Sequence, residues 1–305
     1  MHDIIIIGSG PAGLTAAIYA GRAGLETLVV TGMTFGGQLM LTGEVENFPG
    51  FPEAILGSEL MDKMRKQAER FGTKLLFQDA TGVNLFSKPF KVNVGSQVFE
   101  AKSVIIATGA STKWLGLESE ARLRGKGVSS CATCDAPFFK EKKVVVIGGG
   151  DTAVDEALTL TKFAKEVTLI HRRNELRATK ILQDRAFGNK KIDFIWDSTI
   201  EDILGKNRVE GIRVRNVKTG EESEIAADGV FVAIGHKPNT DIFKGQIDLG
   251  NDGYVVVKDE TKTSVEGVFV AGDVRDPRYR QAITAAGSGC KAAIDAEKYI
   301  GEHYS

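Results

Sequence analysis

The sequence predicts an α/β protein with two parallel-sheet, nucleotide-binding units. Three observations carry that prediction. A glycine-rich turn between a strand and a helix occurs twice in register. An apolar strand ending in Ala-x-Gly follows each copy, and a further strand near the carboxyl terminus ends in Ala-Gly-Asp. At 305 residues the chain exceeds what one core comfortably holds, since cores stop growing near about 250–300 residues. Hydrophobic residues at 42%, charged residues at 26% and a net charge of -1 describe a globular protein without the basic field that nucleic acid requires. The opening "MHDIIIIGSG" has no charged leader region, and no apolar run approaches the roughly 18 residues of a membrane span. A cytoplasmic protein without membrane or nucleic-acid partners is expected.

The first element is "DIIIIGSGPAGLTAAIYAGRAGLETLVVT" (3–31), and "KVVVIGGGDTAVDEALTLTKFAKEVTLIH" (143–171) aligns with it without a gap, at an offset of 148 − 8 = 140. Gly8, Gly10 and Gly13 fall on Gly148, Gly150 and Ala153. The first glycine permits a tight turn, the second lets backbone approach a pyrophosphate, and the third position packs helix on strand, the Rossmann-like fingerprint. The helix N-terminus then directs its dipole at the phosphates. Pro11 sits in the first helical turn, where its missing N–H costs nothing. Of the later elements, "SVIIATGA" (103–110) and "GVFVAIGH" (229–236) read as buried parallel strands.

The two copies differ where nucleotide choice is written. A carboxylate about 20 residues past the first glycine commonly accepts hydrogen bonds from an adenosine ribose, and neither copy has one. The first ends in Thr31 and Gly32, leaving its ribose contact unassigned; the second continues as "HRRNELR", with Arg172, Arg173 and Arg177. Were that segment helical, Arg173 and Arg177 would share a face. Guanidinium forks suit a ribose 2′-phosphate, so this copy is expected to take NADPH. In "TSVEGVFVAGDVRD" (263–276) a strand ends at Asp273, and "YRQAITAAGSG" (279–289) reads as the following helix. That segment is similar to the second flavin fingerprint of two-dinucleotide flavoproteins, which implies an FAD unit assembled from distant parts of the chain.

With "GSGPAG", "GGQL", "EVENFPG", "ATGA", "CATCD", "VIGGG", "HRR", "VAIGHKPNT", "AGDV" and "YRQA", the chain resembles low-molecular-weight, bacterial-type thioredoxin reductases over essentially its whole length. The resemblance implies a discontinuous FAD-binding domain, 1–112 and 243–305, with an inserted NADPH-binding domain, 113–242, that carries the cysteine pair. For FAD it implies Gly8, Gly10, Pro11, Ala12 and Gly13, with Gly37, Gln38 and Asn47, then Ala107, Thr108 and Gly109. Near the carboxyl terminus it adds Gly272, Asp273, Arg280, Gln281 and Ala282. For NADPH it implies Gly148, Gly150, Asp151 and Thr152, then His171 with Arg172, Arg173 and Arg177, and Gly235. It further implies a homodimer, noncovalent FAD, thioredoxin as electron acceptor, and rotation of the inserted domain about hinges flanking residues 113 and 242.

Two of the three cysteines lie in "CATCD", with Cys134 only 148 − 134 = 14 residues ahead of the second glycine turn. Three cysteines make no secreted framework, so a close pair reads as catalytic or metal-binding. CxxC is the spacing of dithiol oxidoreductases. Zinc needs about four ligands, and the remaining candidates, Cys290, His2, His171, His236 and His303, include no pair at ligand spacing; no metal is expected. By resemblance Cys134 receives electrons from the flavin, Cys131 attacks thioredoxin, and Asp135 is the acid/base, a role a buried carboxyl with a raised pKa can fill. Phe138 and Phe139 are candidates for internal packing or a partner contact, and Arg124 and Lys126 for steering an acidic partner or for a solvated loop. Cys290 reads as a helix-packing residue. Competing functions are a flavin-dependent dithiol oxidase, which would not need the arginines, and a non-enzymatic redox sensor, which would not need Asp135.

Overall fold

A computed structural model describes residues 1–304. Strand β1 (His2–Ile7) enters the first glycine turn, followed by helix α1 (Pro11–Arg22) and strand β2 (Thr27–Val30). Ile4, Ile5 and Ile6 are fully buried, as a parallel strand covered on both faces requires. A helix at Gly57–Arg70 leads to β3 (Lys74–Leu76), the edge strand beside β2. Antiparallel strands at Ala80–Asn84 and Phe90–Val94 then bring the chain into β4 (Gln97–Ile106). The end of β4 lies parallel to β1, with Ile7 opposite Ile106.

The chain then builds its second unit. Strand β5 (Lys143–Ile147), helix α2 (Asp151–Leu160) and strand β6 (Glu166–Ile170) repeat the first motif. A helix at Lys180–Phe187 leads to β7 (Ile192–Ile195), the edge strand beside β6. A three-stranded antiparallel sheet over 198–226 precedes β8 (Gly229–Val232), which lies parallel to β5. Neither antiparallel excursion is visible in the glycine-turn pattern. The chain finally returns as β9 (Val268–Val270), parallel to β4, and helix α3 (Ala282–His303), which packs on α1.

Two compact units result, residues 1–111 with 237–305, and residues 112–236. The return crossing falls six residues before the expected 242/243 boundary. Thr108 Oγ1 donates to the Asn239 carbonyl at 2.7 Å and Ser111 Oγ lies 3.0 Å from Asn239 Oδ1, so the stretch after 236 belongs with the first unit. Each unit has its own cores. In the first, alanines of α1 and α3 interleave beside Phe269 and Ile105; in the second, Val146, Phe231 and Leu169 pack with Ala153, Val154 and Ala157 of α2. One expectation changes in detail, and one condition is not met. The last helix begins at Ala282, not at 279, because Arg280 takes a left-handed φ of 49°. The arginine segment after β6 is a run of bends, not a helix, because the Arg177 amide is drawn to the Gly149 carbonyl at 2.6 Å.

Candidate active site

A cleft of about 630 Å³ opens in the first unit at the carboxyl ends of its parallel strands, within the range of ordinary ligand sites and at the position expected for open α/β sheets. Fourteen of the sixteen residues expected to hold flavin line it: Gly8, Gly10, Pro11, Ala12, Gly37, Gln38, Ala107, Thr108, Gly109, Gly272, Asp273, Arg280, Gln281 and Ala282. Gly13 lies beneath the turn instead, where a Cβ would stand 2.0 Å from the Gly8 carbonyl oxygen. Asn47 is not part of the wall; its Nδ2 donates to Oε1 of the lining residue Gln281 at 3.3 Å. Gly8 takes φ +113°, and a Cβ there would stand 2.2 Å from the Ala107 carbonyl oxygen. Only glycine lets the turn and the end of β4 close together. Burial raises the Asp273 carboxyl to about 6, Asp276 pushes it the same way, and Arg280 opposes them.

The second glycine turn closes in the same manner, with Gly148 N–H donating to the Ile170 carbonyl at 3.0 Å where Gly8 N–H donates to Val30 at 2.9 Å. His171 is buried against it; a Cβ on Gly149 would lie 2.4 Å from the imidazole. Burial lowers the His171 pKa, and Arg177, Arg173 and Arg172 lower it further. The three arginines are exposed, and among the described residues no carboxylate pairs with them, which leaves their guanidinium groups available to a phosphate. Asp151 faces this loop, its Oδ1 accepting the Thr179 N–H at 2.6 Å. Thr152 is half-buried in the first turn of α2. Gly235, at φ +110°, follows β8 and accepts the Lys113 N–H at 2.9 Å.

Cys131 and Cys134 form a disulfide with a Cα–Cα distance of 5.3 Å. It spans a short helical turn, Ala132–Asp135, fixed from below and from within. Ala132 and Ala136 are buried in the core shared with α2, Cys131 N–H donates to Ser129 Oγ at 3.1 Å, and Cys134 N–H donates to Cys131 Sγ at 3.2 Å. Both sulfur-bearing residues stay half-buried. Burial raises the Asp135 pKa, and the Ser129 hydroxyl opposes it with a hydrogen bond. Ser129 is the site residue that motif reading passes over, because a serine two positions before a cysteine carries no signal of its own. Among the described residues no group of His, Cys, Asp or Glu side chains converges as a metal site.

The neighbouring candidates divide. Phe139 is buried edge-on against Phe231, with ring centroids 5.1 Å apart, whereas Phe138 is exposed. Arg124 is not a free steering charge: it stacks 4.1 Å over the Trp114 ring and lies 3.7 Å from the buried Glu120 carboxylate, which also accepts the Leu115 and Gly116 amides. Lys126 is exposed. Cys290 is a half-buried free thiol on α3 whose hydrogen bond to the Tyr19 hydroxyl raises the phenol pKa.

The family model "Pyridine nucleotide-disulphide oxidoreductase" matches residues 2–289. Thioredoxin reductase from Rickettsia conorii is 53% identical over 302 residues, 97% of each chain, and that from Mycolicibacterium smegmatis is 54% identical over 303 residues, 99% of this chain and 97% of the other. The chain belongs to the thioredoxin reductase family. Among solved structures, thioredoxin reductase from Giardia duodenalis superposes with a TM-score of 0.94 at 43% identity, covering 98% of this chain and 99% of the other. The Streptococcus pyogenes reductase gives 0.94 at 42%, covering 99% of each. FAD and NADPH are the cofactors of this family. The cleft fits the first, with a glycine turn for pyrophosphate and the half-buried Asp273 carboxyl for a polyol; the exposed arginines fit the phosphate of the second. Among the described residues no helix is long and apolar enough to cross a membrane.

Proposed function

We propose that this reductase passes electrons from NADPH, held by the 112–236 unit, through FAD in the first unit's cleft to the Cys131–Cys134 disulfide and on to thioredoxin. The observation that carries this reading is the disulfide itself, set on the same core as the second nucleotide turn and beside a carboxyl of raised pKa. Bound FAD supplies the two-electron step between nicotinamide and disulfide. The chain's own residues do the rest. Gly148 makes the tight turn and Gly150 leaves room for the pyrophosphate, with Asp151 and Thr152 opening the helix behind it; Arg172, Arg173 and Arg177 engage the 2′-phosphate. Asp273 takes the ribitol hydroxyls. Reduction opens the Cys131–Cys134 bond; the Cys131 thiolate then attacks thioredoxin's disulfide, and Asp135 supplies the proton that the departing thiolate needs. Cys134 closes back on Cys131 and releases reduced thioredoxin. The protein acts as a cytoplasmic homodimer. The free arginines favour this over a dithiol oxidase, which has no use for a 2′-phosphate.

The test is a visible spectrum of the purified protein, followed by NADPH-dependent reduction of a disulfide dye with and without thioredoxin. A flavin spectrum and thioredoxin-dependent turnover are expected. Colourless protein that cannot be loaded with FAD, or oxygen-dependent turnover indifferent to thioredoxin, would overturn the reading.

A further inference from the structure

The two units share the order of their parallel strands, and one position where they part assigns a role to Asp79. The sheet order β3-β2-β1-β4 of the first matches β7-β6-β5-β8 of the second. Thr31 and His171, 171 − 31 = 140 residues apart, follow β2 and β6, and each donates its N–H at 2.9 Å to the last residue of the edge strand, Leu76 or Ile195. Three positions beyond those carbonyls stand Asp79 (76 + 3) and Ser198 (195 + 3). In the second unit this place is neutral: Ser198 Oγ turns onto the Trp196 carbonyl at 2.8 Å, the adjoining Asp197 is held 2.7 Å from Lys218 Nζ, and three exposed arginines stand on the neighbouring loop. In the first unit the signs reverse. The stretch 31–36 after β2 contains no Lys or Arg, and Asp79 lines the cleft beside Thr31, Gly32 and Met33. Its Oδ1 accepts the Met33 N–H at 2.9 Å; among the described residues its other oxygen takes no hydrogen bond or ion pair.

We propose that Asp79 is the ribose-recognising carboxylate of the first unit. One oxygen stays on the Met33 amide, and the other accepts a hydrogen bond from a ribose hydroxyl of the adenosine half of FAD. Dinucleotide folds commonly carry this acid at the end of the second strand; here that end is Thr31–Gly32, and the acid arrives from the neighbouring strand. Gly32 makes this possible: a Cβ there would stand 3.1 Å from Asp79 Oδ1, and the residue takes φ +80°. The same charge would repel a 2′-phosphate, so the two units sort phosphorylated from free ribose by opposite charge at equivalent places. This inference rests on the first unit's cleft being the FAD site.

The experiment removes flavin and measures rebinding by flavin fluorescence, using FAD and an FAD analogue whose adenosine lacks both ribose hydroxyls. Wild-type protein should favour FAD by about tenfold or more, the worth of one hydrogen bond to a charged group. Asp79→Asn keeps an acceptor for the Met33 amide. It should weaken FAD binding by about tenfold while leaving the analogue within about twofold, the margin of a lost contact that the analogue never makes. Equal loss for both ligands, or wild-type protein indifferent to the hydroxyls, overturns the proposal even if Asp79→Asn proves unstable. Wild-type protein that binds neither ligand would instead overturn the assignment of the cleft.

Discussion

Asp273 and Asp135 are both half-buried carboxyls with raised pKa values, and they make different predictions. In flavin-free protein the folded Asp273 carboxyl titrates at about 6, against 3.8 for the unperturbed group. Between those values the folded chain holds a proton that the unfolded chain has lost, so stability from this group is full below 3.8 and is lost as pH rises through about 6. The difference of about two pKa units corresponds to roughly 3 kcal/mol. Asp273→Asn should therefore stabilise the flavin-free protein at pH 7 and flatten its urea midpoint between pH 4 and 7, while weakening FAD. A variant that keeps the wild-type pH slope would show that Asp273 is not the titrating group. For Asp135 the consequence is kinetic. In the proposed role of proton donor, Asp135 should give an activity that declines as pH rises through its raised pKa, and Asp135→Asn should lower thioredoxin turnover by about a hundredfold or more. A dye whose leaving thiol is strongly acidic needs no proton and should be reduced at nearly the wild-type rate. Equal loss on both substrates would point to disturbed disulfide geometry instead.

At the scale of elements, the loop after β6 is stapled to the second glycine turn at two places, by Arg177 N–H to Gly149 and by Asp151 to Thr179 N–H. Replacing Arg172 and Arg173 with neutral residues should raise the Michaelis constant for NADPH at least about tenfold, since each charge-assisted bond to phosphate is worth roughly 1.5–3 kcal/mol. NADH kinetics should barely move; equal loss with both nucleotides would assign the arginines to folding. The two βαβ motifs were legible in the sequence because local rules write them: alternate glycines, apolar runs either side and, in the first, a proline at the first helical turn. The position of the cysteines ahead of the turn was legible for the same reason. Asp79 and Ser129 were not, because strand pairing brings Asp79 beside Gly32 across 47 residues (79 − 32), and Ser129 matters only through the fold of the turn above it. The non-helical arginine loop was equally hidden: its course is decided by the Gly149 carbonyl, a backbone group without sequence identity.

For the whole molecule, what matters is that the chain leaves and re-enters the first unit at neighbouring points. Within the second unit Lys113 N–H donates to the Gly235 carbonyl at 2.9 Å, and Thr112 Oγ1 lies 3.3 Å from His236 Nε2. A segment with its own cores and its ends together should be separable. Residues 112–236 expressed alone should unfold cooperatively and bind NADPH without flavin, as calorimetry would show; a molten or NADPH-blind fragment would mean that the unit depends on its host. The same arrangement sets an order of events at the ribosome. The β4 edge and the alanine face of α1 wait for β9 and α3, which emerge only after the whole insert has been made. At about 5–20 residues per second that delay is on the order of ten seconds. The guest can finish folding while the host still exposes an open strand edge, so the first-made half of this chain is the part that most needs protection during synthesis.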